Sequence, residues 1–175
     1  WAFWQYTGVS ACGSIPASTA TDEALWAFLD DVSPVSSSSD ADVAEFEAYY
    51  YQAEGQLGYP GTMDAHLTGL LQYAEDAYDG AYPVGITLPA YDAAAMDDVG
   101  GWVETDGARL LFLYGQYDPW SGGMFDLGGA TDSLRVVAPQ GPHGSLIRDL
   151  VPADRAAALA KLAAWSGVTP DETVW

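Results

Sequence analysis

The sequence predicts an α/β fold, and three observations carry that prediction. Residues 1 to about 85 show helical apolar spacing with no convincing strand, whereas from Leu88 the pattern becomes an alternation of helix and strand. Two short apolar runs, "ARLLFLYG" and "SLRVVAP", end at Gly115 and Pro139, as strands buried on both faces of a parallel sheet do. A closing helix over "PADRAAALAKLAAWSG" opens on Pro152 and stops before Gly167. The expected organisation is a helical segment over residues 1–85 followed by a sheet-bearing segment over residues 86–175.

The elements follow in order. In "TDEALWAFLDD", Thr21 or Asp22 suits the N-cap, and Leu25, Phe28 and Leu29 fall on one helix face. The stretch "SSSSDADVAEFEAYYYQAEGQLGYP" passes from a polar loop into a helix from near Asp40 to around Gly58, with Pro60 just beyond. "MDAHLTGLLQYAEDAY" repeats the apolar spacing at Leu67, Leu70, Leu71 and Tyr73. "YDAAAMDDVGGWVE" reads as a helix weakened by Gly100 and Gly101. Two parallel strands do not make a stable sheet, so the second segment is expected to lack most of its sheet.

A chain of 175 residues with 49% hydrophobic and 13% aromatic content can build a real core and is not of disordered composition. No apolar run is long enough to span a bilayer, and no signal peptide opens the sequence. It starts at Trp1 inside the apolar segment "WAFWQY" without an initiator Met, which leads us to expect a piece of a longer polypeptide. Five basic against 25 acidic residues give a net charge of −20, which repels phosphate backbones and anionic lipid headgroups. Nucleic-acid and membrane partners are therefore not expected; the charge suits solubility in a secreted or salt-exposed setting. Cys12 is the single cysteine, so any disulfide must reach outside this chain.

The chemistry is concentrated behind the two apolar runs. Asp118 in "YGQYDPWSGG" follows the first, and His143 in "APQGPHGS" follows the second, 25 positions on (143 − 118). In α/β sheets, ligands bind outside the carboxyl ends of the strands, so both residues would project from one rim. A neutral imidazole becomes a competent base once a carboxylate fixes its tautomer and stabilises the imidazolium. Gly115 would let the first loop turn sharply, and Gly141 and Gly144 would let the backbone bring His143 to its partner. Taken singly, Asp118 is a turn residue before a proline and His143 a surface residue; together, in this order, they read as the acid and base of a hydrolase triad. His66, inside a helical pattern and without flanking glycines, competes less well.

The nucleophile is missing. No Gly-x-Ser-x-Gly occurs, although the order Ser, Asp, His of α/β-hydrolases requires one upstream. Ser14 and Ser121 do not sit on a strand-to-helix elbow, and Ser145 is two residues from His143, too close to face it easily. None is assigned, and the serine is expected N-terminal to Trp1. No cofactor and no metal are expected.

"FWQY" (Phe3 to Tyr6), "CGSIPA" (Cys12 to Ala17), "YYYQAEGQLGYP" (Tyr49 to Pro60), "LLFLYGQYDPW" (Leu110 to Trp120) and "APQGPHG" (Ala138 to Gly144) occur in this order. Together they resemble the secreted prolyl tri- and tetrapeptidyl aminopeptidases of streptomycete type, a family of α/β-hydrolase serine peptidases. The resemblance implies that the chain is the C-terminal part of an α/β-hydrolase fold, with residues 1–85 in a helical cap and residues 86–175 in the core. It implies Asp118 as triad acid and His143 as base, a peptide substrate, secretion, and an N-terminal half of the same enzyme that carries the serine. Such enzymes release short peptides, often ending in proline, from free N-termini. In that setting Cys12 is expected to bridge to a cysteine in the rest of the cap.

Aromatic faces suit a proline ring, and Trp4, Tyr6, Tyr49, Tyr50, Tyr51 and Trp120 serve equally as a core between cap and sheet. Trp4 and Trp120 are the candidates for a substrate pocket. Measuring three or four residues from a free α-ammonium needs an acidic acceptor; Asp22, Glu23, Asp40, Asp42, Glu45, Glu47 and Glu54 are available, and one or two should point inward. Two further readings stay open: another α/β-hydrolase acting on esters or other peptides, and a non-catalytic scaffold module.

Overall fold

A computed structural model describes residues 2–58, 65–71 and 85–171. Two units make up the chain, Trp1–Ser33 with Gly100–Trp175 and Pro34–Val99.

In the first unit, β1 (Leu111–Gly115) and β2 (Leu134–Ala138) pair in parallel, from Leu111 opposite Leu134 to Gly115 opposite Ala138. Both strands lie where the apolar runs place them. Their burial does not follow the expectation, for most strand residues are only half-buried and Arg135 is exposed. The cause is visible in the sheet: among the described residues it has two strands, so each keeps an uncovered edge. Val136 and Ala138 of β2 form a small core with Ile147, Leu150, Ala158 and Leu159, packed against Leu111, Leu113, Leu134 and Leu162.

The helix that completes this core, α6 (Pro152–Ser166), starts on its proline and ends at Gly167, whose φ of 71° gives the left-handed cap that glycine adopts without strain. Preceding β1 is α5 (Ala94–Asp106), which tolerates Gly100 and Gly101 in its interior and buries Val103. Near the start of the chain are α1 (Ala2–Tyr6) and α2 (Asp22–Val32). The Thr21 hydroxyl accepts from the Ala24 amide at 3.3 Å, which settles the N-cap in favour of Thr21. The apolar face of α2 is not buried: Leu25 and Leu29 are exposed and Phe28 half-buried.

In the second unit, the helix expected from Asp40 to near Gly58 is broken into α3 (Asp40–Glu45), α4 (Glu47–Gln52) and a π-turn (Ala53–Leu57). Phe46 interrupts it with φ −109° and ψ 7°, outside the helical range. The π-turn surrounds a close approach: a Cβ on Gly55 would lie 2.7 Å from the Pro89 ring, and the Gly55 carbonyl accepts from the Asp92 amide at 2.8 Å. Gly58, with φ 84°, ends the segment as expected. Ala65–Leu67 forms a 3₁₀ turn, residues 68–70 continue as turn rather than helix, and Leu71 is not helical either; Tyr73 and the residues after it in that expected helix lie outside the described residues, as does Pro60. Of the seven acidic residues considered above, Glu47 and Glu54 are half-buried and the others exposed. Among the described residues no helix is long and apolar enough to cross a membrane.

One polar cluster ties the end of α6 to the loop before β2. Lys161 Nζ donates to one oxygen of Asp132, Trp165 Nε1 donates to the other at 2.8 Å, and Arg109 Nε lies 4.0 Å away. The Lys161 hydrogen bond, then that of Trp165, outweighs desolvation and holds the Asp132 carboxyl below the ordinary carboxylate range. A carboxyl lowered in the folded state stabilises the fold above its unfolded value of about 3.9, and this support disappears as pH falls through the lower folded value. Asp132→Asn should therefore lower Tm at neutral pH and flatten this part of the acid decline, as followed by thermal unfolding over that range. An unchanged Tm profile would show that the cluster does not support the fold.

Candidate active site

Parallel pairing sends both strands out at the same edge, and the hydrogen-bond ladder continues past their ends. The Gln116 amide donates to Ala138 O at 3.0 Å, and the Tyr117 amide donates to Gly141 O, also at 3.0 Å. The Gln140 amide donates back to Gln116 Oε1 at 2.8 Å. The two loops are thus laced together before either functional side chain is reached.

Glycine makes the lacing possible, by close approach rather than by turning. Gly115 is not in the positive-φ region, but an added Cβ would drive into the carbonyl oxygens of Pro142 and Gly141. Gly141 is equally constrained, against Ser145 Oγ and Ala138. Gly144, expected to share this role, has open space around it and does not.

Asp118 and His143 meet at this edge, His143 Nδ1 lying 2.7 Å from Asp118 Oδ2. The Asp118 side chain is 6% exposed and that of His143 50%, so the carboxylate is enclosed and the imidazole open to solvent. Asp118 also caps the 3₁₀ turn Pro119–Gly123, its Oδ1 accepting from the Trp120 amide at 3.0 Å. The turn role and the partner role expected of this residue are both filled, one by each oxygen. Because a carboxylate only accepts, the proton of a neutral imidazole is assigned to Nδ1, which leaves the Nε2 lone pair free. The arrangement can take a proton from a donor at Nε2 and stabilise the cation that results.

The aromatic candidates are close by. Trp120 follows two residues after the acid and is 37% exposed; Trp4, on α1, is 39% exposed and packs edge-on against Tyr117 with ring centroids 5.9 Å apart. A further contact had no sequence signal: the His143 amide donates to Gln5 O at 2.7 Å, joining residues 138 positions apart (143 − 5). A main-chain bond between distant segments leaves no trace in residue type.

None of the three serines weighed above faces the imidazole. Each hydroxyl donates at 2.7 Å to a main-chain carbonyl: Ser14 to Ala11, Ser121 to Gly115 and Ser145 to Pro142. His66 is exposed on its 3₁₀ turn, and Cys12 is exposed with a free thiol. Among the described residues, no three His, Cys, Asp or Glu side chains converge to hold a metal ion.

A buried carboxylate paired with a half-exposed imidazole thus stands at the carboxyl edge of a parallel sheet, where ligands of α/β folds bind. The sequence profile of PS-10 peptidase S37 matches residues 1–174, and the chain belongs to that peptidase family. It is 42% identical over 173 residues to the prolyl tri/tetrapeptidyl aminopeptidase of Streptomyces mobaraensis. That match covers 97% of this chain and 36% of the Streptomyces enzyme. No solved structure matches the chain.

The contacts at Gly115 make a direct prediction. Gly115→Ala should destabilise the fold by about 1–3 kcal/mol through overpacking against the histidine loop. Denaturant unfolding measures the loss, and an upfield shift of the His143 Nδ1 proton resonance would report the stretched pair. Gly144→Ala should do neither; equal effects from the two would remove close approach as the reason for glycine.

Proposed function

We propose that this chain supplies the acid and base of a secreted serine exopeptidase that releases tri- and tetrapeptides, often ending in proline, from free N-termini. Asp118 is the triad acid and His143 the base. The observation that carries the reading is the 2.7 Å pairing of Nδ1 with a buried carboxylate, in a chain of a peptidase family.

Nε2 takes the proton of a serine hydroxyl as Oγ attacks the scissile carbonyl, while Asp118 stabilises the imidazolium. The proton then passes to the leaving amine, and the released peptide portion is held as an acyl-enzyme. The same nitrogen activates the water that hydrolyses it. No cofactor takes part. The serine and most of the oxyanion hole come from the portion of the polypeptide corresponding to the rest of the Streptomyces relative's length. Three observations support that assignment: Ser14, Ser121 and Ser145 are committed to carbonyls, the two strands have uncovered edges among the described residues, and α2 and α5 leave Trp26 and Trp102 more than half exposed. Cys12, exposed on its turn, is available to a cysteine in that portion.

Residues 86–175 form the C-terminal part of an α/β-hydrolase core and residues 1–85 belong to its helical cap, of which residues up to Ser33 pack with the core unit. Trp120, partly exposed two residues after Asp118, serves the proline-bearing substrate. Counting residues from the N-terminus needs an acidic acceptor for the α-ammonium among the cap carboxylates. Loss of the ion pair between that carboxylate and the substrate amine discriminates against a blocked terminus.

The full-length enzyme should therefore cleave a free-amine, proline-containing tetrapeptide substrate with a far higher kcat/KM than its acetylated twin. Equal kcat/KM values would make it an endopeptidase, and preference for simple esters over both would make it an esterase.

A further inference from the structure

We infer that α1 is a positioning element for the His143 imidazole and that Trp4 is the side chain anchoring it; the inference rests on the proposed role of His143 as base. The loop that carries His143 is held internally on either side of it. Gly141 N donates to Ala138 O and Ser145 N donates to Pro142 O, each at 3.1 Å. Between them, Pro142 has no amide hydrogen, and the His143 amide is satisfied from outside the loop, by Gln5 O of α1. Gly8, just after α1, lies against the same loop: a Cβ there would make ordinary van der Waals contact with Pro142 and Gln140 O.

A main-chain carbonyl fixes a loop only if its own helix is fixed, and five residues of helix do not hold themselves. The anchor is a row of rings. Phe28 of α2 lies 6.0 Å from Phe3, Phe3 lies 6.1 Å from Trp4, and Trp4 lies 5.9 Å from Tyr117. These distances suit edge-to-face and tilted aromatic packing. Tyr117 precedes the acid, and its amide donates to Gly141 O in the base loop. Trp4 therefore joins α1 to the acid loop while Gln5 O joins it to the base residue. Removing the indole leaves α1 free to drift and the imidazole free to rotate from its partner. A misplacement on the order of 1 Å costs about 100-fold in rate.

A positioning role and a pocket-wall role for Trp4 separate in the kinetics of the full-length enzyme. With Trp4→Ala, kcat should fall by about 10- to 100-fold, equally for a proline-containing peptide and a small ester, with KM little changed. Trp4→Phe, which keeps a ring against Tyr117, should recover most of the rate. Hydrogen exchange at the His143 amide should accelerate in Trp4→Ala and stay slow in Trp4→Phe. A raised KM confined to the proline peptide, with kcat kept, would overturn the inference and leave Trp4 as a substrate contact. Unchanged rates and unchanged exchange would overturn it outright. If Trp4→Ala does not fold, Gly8→Ala, strained at φ 71°, loosens the same junction and is read by the same measurements. The exchange readout does not depend on catalysis: altered exchange in a protein that hydrolyses nothing would sink the peptidase reading alone, and unaltered exchange in an active enzyme would sink positioning alone.

Discussion

The parallel register of β1 and β2 decides where everything else in the site lies. With Gly115 opposite Ala138, Asp118 stands three residues beyond one strand (118 − 115) and His143 five beyond the other (143 − 138). A slip of one residue would shift the base loop by about 3.3 Å and turn the side chains of one strand to the opposite face. Neither the 2.7 Å pair nor the amide bonds from Gln116 and Tyr117 would survive it. The register is held in turn by the small core beneath β2 and by glycine at the two places where the loops press together. Specificity of geometry here comes from backbone contact more than from side-chain bonds.

The distribution of charge follows from the same economy. Five basic residues stand against 25 acidic ones, so carboxylates far outnumber the cations available to pair with them, and three of those cations serve structural contacts. Arg135 donates to Phe125 O at 2.7 Å near Asp126, and Lys161 and Arg109 gather at Asp132. None of these three stands at the site.

Local signals carried the sequence reading a long way. Thr21, Pro152 and Gly167 mark helix ends through capping chemistry, and "LLFLYG" and "LRVVA" mark strands through unbroken apolar content; all of these elements stand where expected. Asp118 and His143 were legible as a pair because strand ends and loop lengths alone bring them to one edge, and the structure places them in contact. What could not be read was set by distant partners. The π-turn over Ala53–Leu57 accommodates Pro89 and the Asp92 amide at Gly55, which no local pattern encodes. The exposure of Leu25 and Leu29 likewise depends on what lies opposite them, not on their spacing. The chain does turn at Gly115, where the Asp118 amide donates to Gly115 O at 3.2 Å, but it is crowding by Pro142 and Gly141 that requires glycine there, and a turning glycine and a crowded one look alike in sequence.

The central claim is that His143, poised by Asp118, activates a serine carried elsewhere in the same enzyme. Labelling the full-length protein with a serine-directed fluorophosphonate, followed by peptide mapping and rate measurement, tests it most directly. A single modified serine outside this 175-residue chain is predicted, with labelling slowed by up to about 10⁴-fold in Asp118→Asn because the imidazole loses its orienting charge. Modification of Ser14, Ser121 or Ser145, or a labelling rate indifferent to Asp118→Asn, would contradict it.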